Sequence, residues 1–217
     1  MAGYKVVPIP ASGTVAGRPR KEPLYDSECY KAATAVPTSV TVFSNFATFN
    51  VAPTNIGSAK VLGRDSNLQG GNAGLPQGHL FYWYGWRLKY RTMDANLGSA
   101  ANVVMSEQLN RLRELSDVLF KFTSGEYIRV QADELPSGTG PAFINSTHTS
   151  ATVMSLPSGV PDKRNFKDVT VSGKPQEITQ LEAFRVVLGT SYSTGLTPTV
   201  DIFASPHLEG VLIRGVT

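Results

Sequence analysis

Helical periodicity occurs in one stretch of this chain. Ser106-Glu107-Gln108-Leu109-Asn110-Arg111-Leu112-Arg113-Glu114-Leu115-Ser116-Asp117 sets Leu109, Leu112 and Leu115 three apart, with charged and polar residues between them. That is the spacing of an apolar stripe on a short amphipathic helix. Elsewhere the apolar residues come in short runs rich in β-branched and aromatic side chains, bounded by Gly, Pro, Asn and Ser, which is the chemistry of strands and turns. A chain of 217 residues with so little helical pattern is neither a bundle nor a coiled coil. Its charged content of 17%, against roughly 25% in an ordinary domain, also sets it apart from acidic disordered chains.

Along the chain, Val40-Thr41-Val42-Phe43 and Phe46-Ala47-Thr48-Phe49-Asn50-Val51 predict one or two half-buried strands, and residues 63 to 78 are a loop by composition. His79 to Arg91 predicts a long strand carrying six aromatic rings. From Trp86 onward it alternates, with Trp86, Leu88 and Tyr90 on an apolar face and Arg87, Lys89 and Arg91 on a basic one. Rings beside cations suit a stacking platform for sugars or single-stranded nucleic acid. A strand whose rings fill a sandwich core is the favoured reading, because a platform distributes its aromatics over several strands. Val118 to Phe122 and Tyr127 to Val130 flank Thr123-Ser124-Gly125-Glu126 and predict a hairpin. Residues 135 to 162 return to loop chemistry. The run Val169-Thr170-Val171, the segment Ile178 to Leu188, and the runs Thr199 to Phe203 and Val211 to Val216 predict the closing strands. At least seven strands and one helix, near 106 to 117, fit a single antiparallel sandwich or barrel.

Residues 1 to 37 carry Pro8, Pro10, Pro19, Pro23 and Pro37, a density that prevents a continuous helix and predicts an extended N-terminal arm ahead of one domain over 38 to 217. The tract Arg18-Pro19-Arg20-Lys21 within it suits contact with phosphate or lipid headgroups, although a solvated basic run is the plainer reading. Net charge is +3 without a clustered basic stripe, so no specific nucleic-acid partner is expected. No apolar run is long enough to cross a bilayer. The opening residues carry no apolar core of a secretory leader, and a lone Cys29 rules out an internal disulfide, so assembly in a reducing compartment is expected.

Chemistry-bearing patterns are sparse. His79, His148 and His207 show no ligand spacing, so no metal site is expected. Asp65-Ser66-Asn67-Leu68-Gln69-Gly70 opens like a calcium loop but places Pro76 where a bidentate Glu is required. There is no nucleophile elbow and no phosphate-cradling loop, and Cys29 sits in the proline-rich arm. Asp133 and Glu134 are neighbours in an expected strand, so they would point to opposite faces. The sequence therefore predicts no enzyme, no cofactor and no small-molecule substrate.

The order of features resembles the single jelly-roll major capsid proteins of tailless, membrane-containing icosahedral phages and viruses. The proline-rich arm, the aromatic strand at 79 to 91, the short helix at 106 to 117, the hairpin from Phe120-Lys121-Phe122 to Leu135-Pro136-Ser137-Gly138 and the closing strands at 181 to 216 carry the likeness. It implies an all-β, antiparallel single jelly-roll sandwich of about eight strands. It also implies a structural subunit that self-assembles into an icosahedral shell in the host cytoplasm and resides in the virion. Its partners would be copies of itself and other capsid proteins, with the arm near an internal membrane. Composition singles out Arg18, Arg20, Lys21, Leu75, Leu135, Phe143 and Leu156 as inter-subunit contact residues. The alternative is a carbohydrate-binding or receptor-binding β-sandwich module of a phage spike or tail, or of lectin type.

Overall fold

The structure, a computed structural model, describes residues 17–43, 66–67, 75–76, 78–92, 108–109, 111–122, 125–136, 166–179, 182–190, 196–199 and 201–215. They form eleven strands: β1 (Gly17–Lys21), β2 (Leu24–Tyr25), β3 (Glu28–Tyr30), β4 (Ser39–Val42), β5 (His79–Thr92), β6 (Asp117–Phe122), β7 (Gly125–Gln131), β8 (Lys167–Asp168), β9 (Gln176–Ile178), β10 (Phe184–Gly189) and β11 (Ile202–Gly215). All named pairings are antiparallel, and they nest. The start of the chain, β1, β2 and β3, pairs with its end, β11. Inside that, β4 pairs with β10, β5 with β8 and β9, and β6 with β7. Such nesting is one long antiparallel ribbon, and rolling it up brings β11 beside β5 and β10 beside β6.

The result is two sheets, a seven-stranded one built on the order β1-β11-β5-β8 and a four-stranded one ordered β4-β10-β6-β7. Counting β1 to β3 as one interrupted strand and β8 with β9 as another gives eight strand positions, in the order of a jelly roll.

Two irregularities in the larger sheet have readable causes. Pro206 lies inside β11 opposite Leu88, whose N–H faces away from β11 and donates to the Pro136 carbonyl at 3.2 Å. Pro206 must then turn its own nitrogen away from β5, toward the side where the first strand is broken at Asp26 and Ser27, so its missing N–H removes no ladder bond. The second irregularity is a bulge. Glu209 faces Gly85 but Gly210 faces Trp83, which leaves Tyr84 as the extra residue on β5.

That bulge decides the core. Ahead of it Phe81 and Trp83 point inward, and beyond it Trp86 and Leu88 do, so two tryptophans three positions apart share one face. They meet Leu24, Tyr30, Leu208 and Leu212 of the same sheet and Val40, Val42, Phe120, Phe184, Val186 and Leu188 of the smaller one. Trp83 stacks on Phe120 with centroids 4.4 Å apart, and Phe120 stacks in turn on Phe184 at 5.8 Å. The expected helix is present, with residues 108, 109 and 111–114 helical, and it delivers Leu109 and Leu112 to the core.

Several boundaries differ from the sequence reading. The segment assigned to an arm contributes strands from Gly17 to Tyr30, with Leu24, Cys29 and Tyr30 buried, because Pro19 falls on an edge strand and Pro23 and Pro37 between strands, where no ladder N–H is needed. Residues 1–16 lie outside the described ones. Instead of a strand at 169–171, β8 ends at Asp168 and Val171 makes a single bridge to Lys174. The span 178–188 divides into β9 and β10, whereas residues 202–203 and 211–215 of the two final runs belong to the single fourteen-residue β11. Asp133 and Glu134 lie in a 3-10 turn, Ala132–Glu134, and not in a strand.

Candidate functional site

Alternation along β5, β11 and the first strand puts polar side chains in rows across the outer face of the larger sheet, opposite the core. One row runs from Tyr25 through His207 to Arg87, and the next holds Ser205 opposite Lys89. The His207 imidazole stacks on the Tyr25 ring, 4.9 Å between centroids and 15° between planes. Ser205 shares a hydroxyl hydrogen bond with Ser27. Two positions along from His207, Glu209 accepts an ion pair from Arg87 Nη2 at 2.5 Å. Tyr84, the bulged residue, is half-buried on the same strand.

This face is buried, which is unusual for charged residues. Arg87 is 7% exposed, Glu209 6% and His207 8%. Burial shifts the titration of Glu209, Lys89 and His207. It pushes the Glu209 carboxyl up, with Arg87, Lys89 and Lys21 opposing. It lowers the Lys89 ammonium, aided by the neighbouring Arg87 charge. It also drives His207 down to about 3, with Lys89 and Arg87 adding to the effect, so the imidazole is neutral near pH 7. One ion pair does not satisfy the guanidinium: Arg87 Nε and Nη1 and His207 Nδ1 are buried without hydrogen-bond partners.

A cleft of ≈ 470 Å³ opens between the end of the helix and the β6–β7 hairpin and is lined by Glu114, Leu115, Ser116, Asp117, Arg129, Val130, Gln131 and Glu134. Its charges are largely paired, Arg129 with Asp117 at 3.1 Å and Lys167 with Glu134 at 2.8 Å.

Those of the residues singled out from sequence that are described fall in two places, the edge strand β1 and the core. Leu75 and Leu135 are 1% and 0% exposed in the core, so they are corrected from contact residues to packing residues. A leucine in a loop reads as surface only when nothing pulls the loop inward; Leu135 closes a 3-10 turn whose Ala132 N–H donates to the Ser116 carbonyl, drawing it under the helix. Arg18, Arg20 and Lys21 lie on the edge strand β1, with the Arg20 and Lys21 side chains exposed. Phe143 and Leu156 lie outside the described residues. Trp83 and Trp86 are both 0% exposed, which removes them as a stacking platform. Cys29 lies on the first strand, packed with Phe203.

The Arg87–Glu209–His207 cluster was not foreseen. The basic alternation of Arg87 and Lys89 was its visible half, while Pro206 and Gly210 split the partner strand and hid the other. Among the described residues no three of His, Cys, Asp and Glu come close enough to hold a metal ion, and no helix is long and apolar enough to cross a membrane. No protein family, curated protein or solved structure matches the chain.

Proposed function

We propose that this chain is a structural capsid subunit whose activity is self-association into an icosahedral shell, in the virion and beside other capsid proteins. The observation that carries the reading is the strand order: two sheets with the nested pairing of a jelly roll, a fold used by viral capsid and lectin domains alike. Between those two uses, the burial of Trp83 and Trp86 favours the shell, because a sugar-binding module needs rings on its surface. Support for a self-contacting surface comes from β1, an edge strand that carries Arg20 and Lys21 outward. Repetition by symmetry lets many weak contacts of this kind add up to a stable assembly.

The test is the mass of the purified full chain over a wide concentration range, by sedimentation velocity, with electron microscopy of the same samples. Closed or regularly curved assemblies are expected. The double substitution Arg20→Glu and Lys21→Glu should shift the equilibrium toward monomer while changing monomer stability by no more than about 0.5 kcal/mol, as for exposed sites generally. A chain that stays monomeric throughout and binds a defined glycan tightly would overturn the reading in favour of the binding module.

A further inference from the structure

We propose that the outer face of the larger sheet binds one small oxyanion, of the size and charge of phosphate, between Arg87, Lys89 and His207. Two independent counts lead there. The first is of hydrogen-bond donors. Arg87 is more than nine-tenths buried, yet only its Nη2 is engaged, by Glu209. Nε and Nη1 are left without partners, and so is Nδ1 of the facing His207, which donates in the tautomer that carries the proton on Nδ1. Buried donors on a charged group are rarely left open, because each forfeits its hydration and gains nothing in return.

The second count is of charge. Arg87, Lys89 and Lys21 all act on Glu209, while His207 is neutral. Three cations act on one buried carboxylate, a surplus of positive charge carried by the buried Arg87, the half-buried Lys89 and the exposed Lys21. Water could satisfy the open N–H groups, but it cannot balance that surplus. A tetrahedral oxyanion does both. Guanidinium and ammonium groups are the usual partners of phosphate, and the free Nη1 lies beside the Nη2 that already holds Glu209, so one more acceptor is geometrically natural. Among the described residues, Tyr25, Tyr84, Ser27 and Ser205 are the uncharged hydrogen-bonding groups of this face, and Asp168, opposite Gly85 one strand beyond Glu209, is its other carboxylate, with Oδ1 accepting from the Thr170 N–H. The site stands or falls independently of the assembly proposed above.

The experiment uses the full chain and inorganic phosphate as probe, with chloride at matched ionic strength as reference, read by isothermal titration calorimetry and thermal unfolding. Expected are saturable binding with a dissociation constant on the order of 1 mM or below and a rise in melting temperature specific to phosphate. Arg87→Lys, which keeps the charge but loses the guanidinium donors, should weaken binding at least about tenfold. Lys89→Met should do the same while leaving the Arg87–Glu209 pair intact, and it carries the test if Arg87→Lys does not fold. Arg185→Ala, exposed on the other sheet, should change nothing. No phosphate-specific stabilisation, or the same response in wild type and Lys89→Met, would overturn the site. Vesicles of phosphatidylcholine with and without phosphatidic acid form the second arm. Cosedimentation with phosphatidic acid that Lys89→Met abolishes, without binding of free phosphate, would replace the small anion by a lipid headgroup and overturn the proposal as stated.

Discussion

Gly210 sits where the two long central strands cross over the bulge, and a Cβ there would overlap the Phe81 ring and the Tyr82 carbonyl oxygen. The carbonyl belongs to the backbone and has little room to yield. Gly210→Ala should therefore cost about 1–3 kcal/mol, the usual range for overpacking, read as a lower urea midpoint with unchanged slope. An unchanged midpoint would mean that the strands do not approach this closely. His207 makes a different prediction. The folded imidazole stays neutral down to about pH 3 while the unfolded one takes its proton near 6.5. Between those values the unfolded chain binds more protons, so stability rises with pH there; the contribution is complete above 6.5 and is lost as pH falls toward 3. Its size is on the order of 5 kcal/mol at most. Glu209, whose carboxyl is raised, works in the opposite direction, so the informative quantity is a difference. His207→Phe keeps a ring on Tyr25 and removes the titrating nitrogens. The gap in stability between variant and wild type should move in the variant's favour from pH 7 to pH 4, and parallel pH profiles would refute the assignment.

At the scale of the element, what could be read in the sequence followed from local pattern, and what could not depended on a partner strand. The aromatic run at 79 to 91 is β5 almost to the residue, the hairpin is β6 and β7, and the helix lies within its expected bounds. In each case period and turn chemistry are properties of the segment itself. The inward turn of both Trp83 and Trp86 was not legible, since the bulge at Tyr84 exists only relative to β11. Nor was the continuity of β11, because Pro206 reads as a breaker until the gap in the first strand is seen to receive its nitrogen. The same blindness made an arm of residues 17 to 30: a proline-rich segment looks unable to pair, yet Pro19 needs no donor on an edge. Removing residues 1 to 30 should therefore abolish cooperative unfolding, since it takes Leu24 and Tyr30 from the core and strips one side of β11. A truncated chain with the melting profile of the full one would restore the arm.

For the whole molecule, nested pairing means that the outermost contacts close the largest loops. Gly17 faces Gly215, and Tyr30 faces Ile202, so the first and last strands meet only after everything between them has been brought close. Loop-closure entropy must be met before those pairings return any stability, which places jelly-roll folding at the slow end, on the order of milliseconds to seconds or longer. β11 is also the hub, pairing with β1, β2, β3 and β5, so neither sheet is self-sufficient: the larger loses its centre without it, and the smaller then has nothing to cover Phe120 and Phe184. A chain ending before Ile202 should accordingly retain no partial fold. The near-ultraviolet dichroism of the buried tryptophans and the far-ultraviolet strand signal should vanish together in the truncated chain, and in the full chain the two should melt with one midpoint. A truncated protein that keeps the tryptophan signal and a cooperative transition would show that the sheets fold as separate units, and the nested ribbon would then no longer account for how this chain holds together.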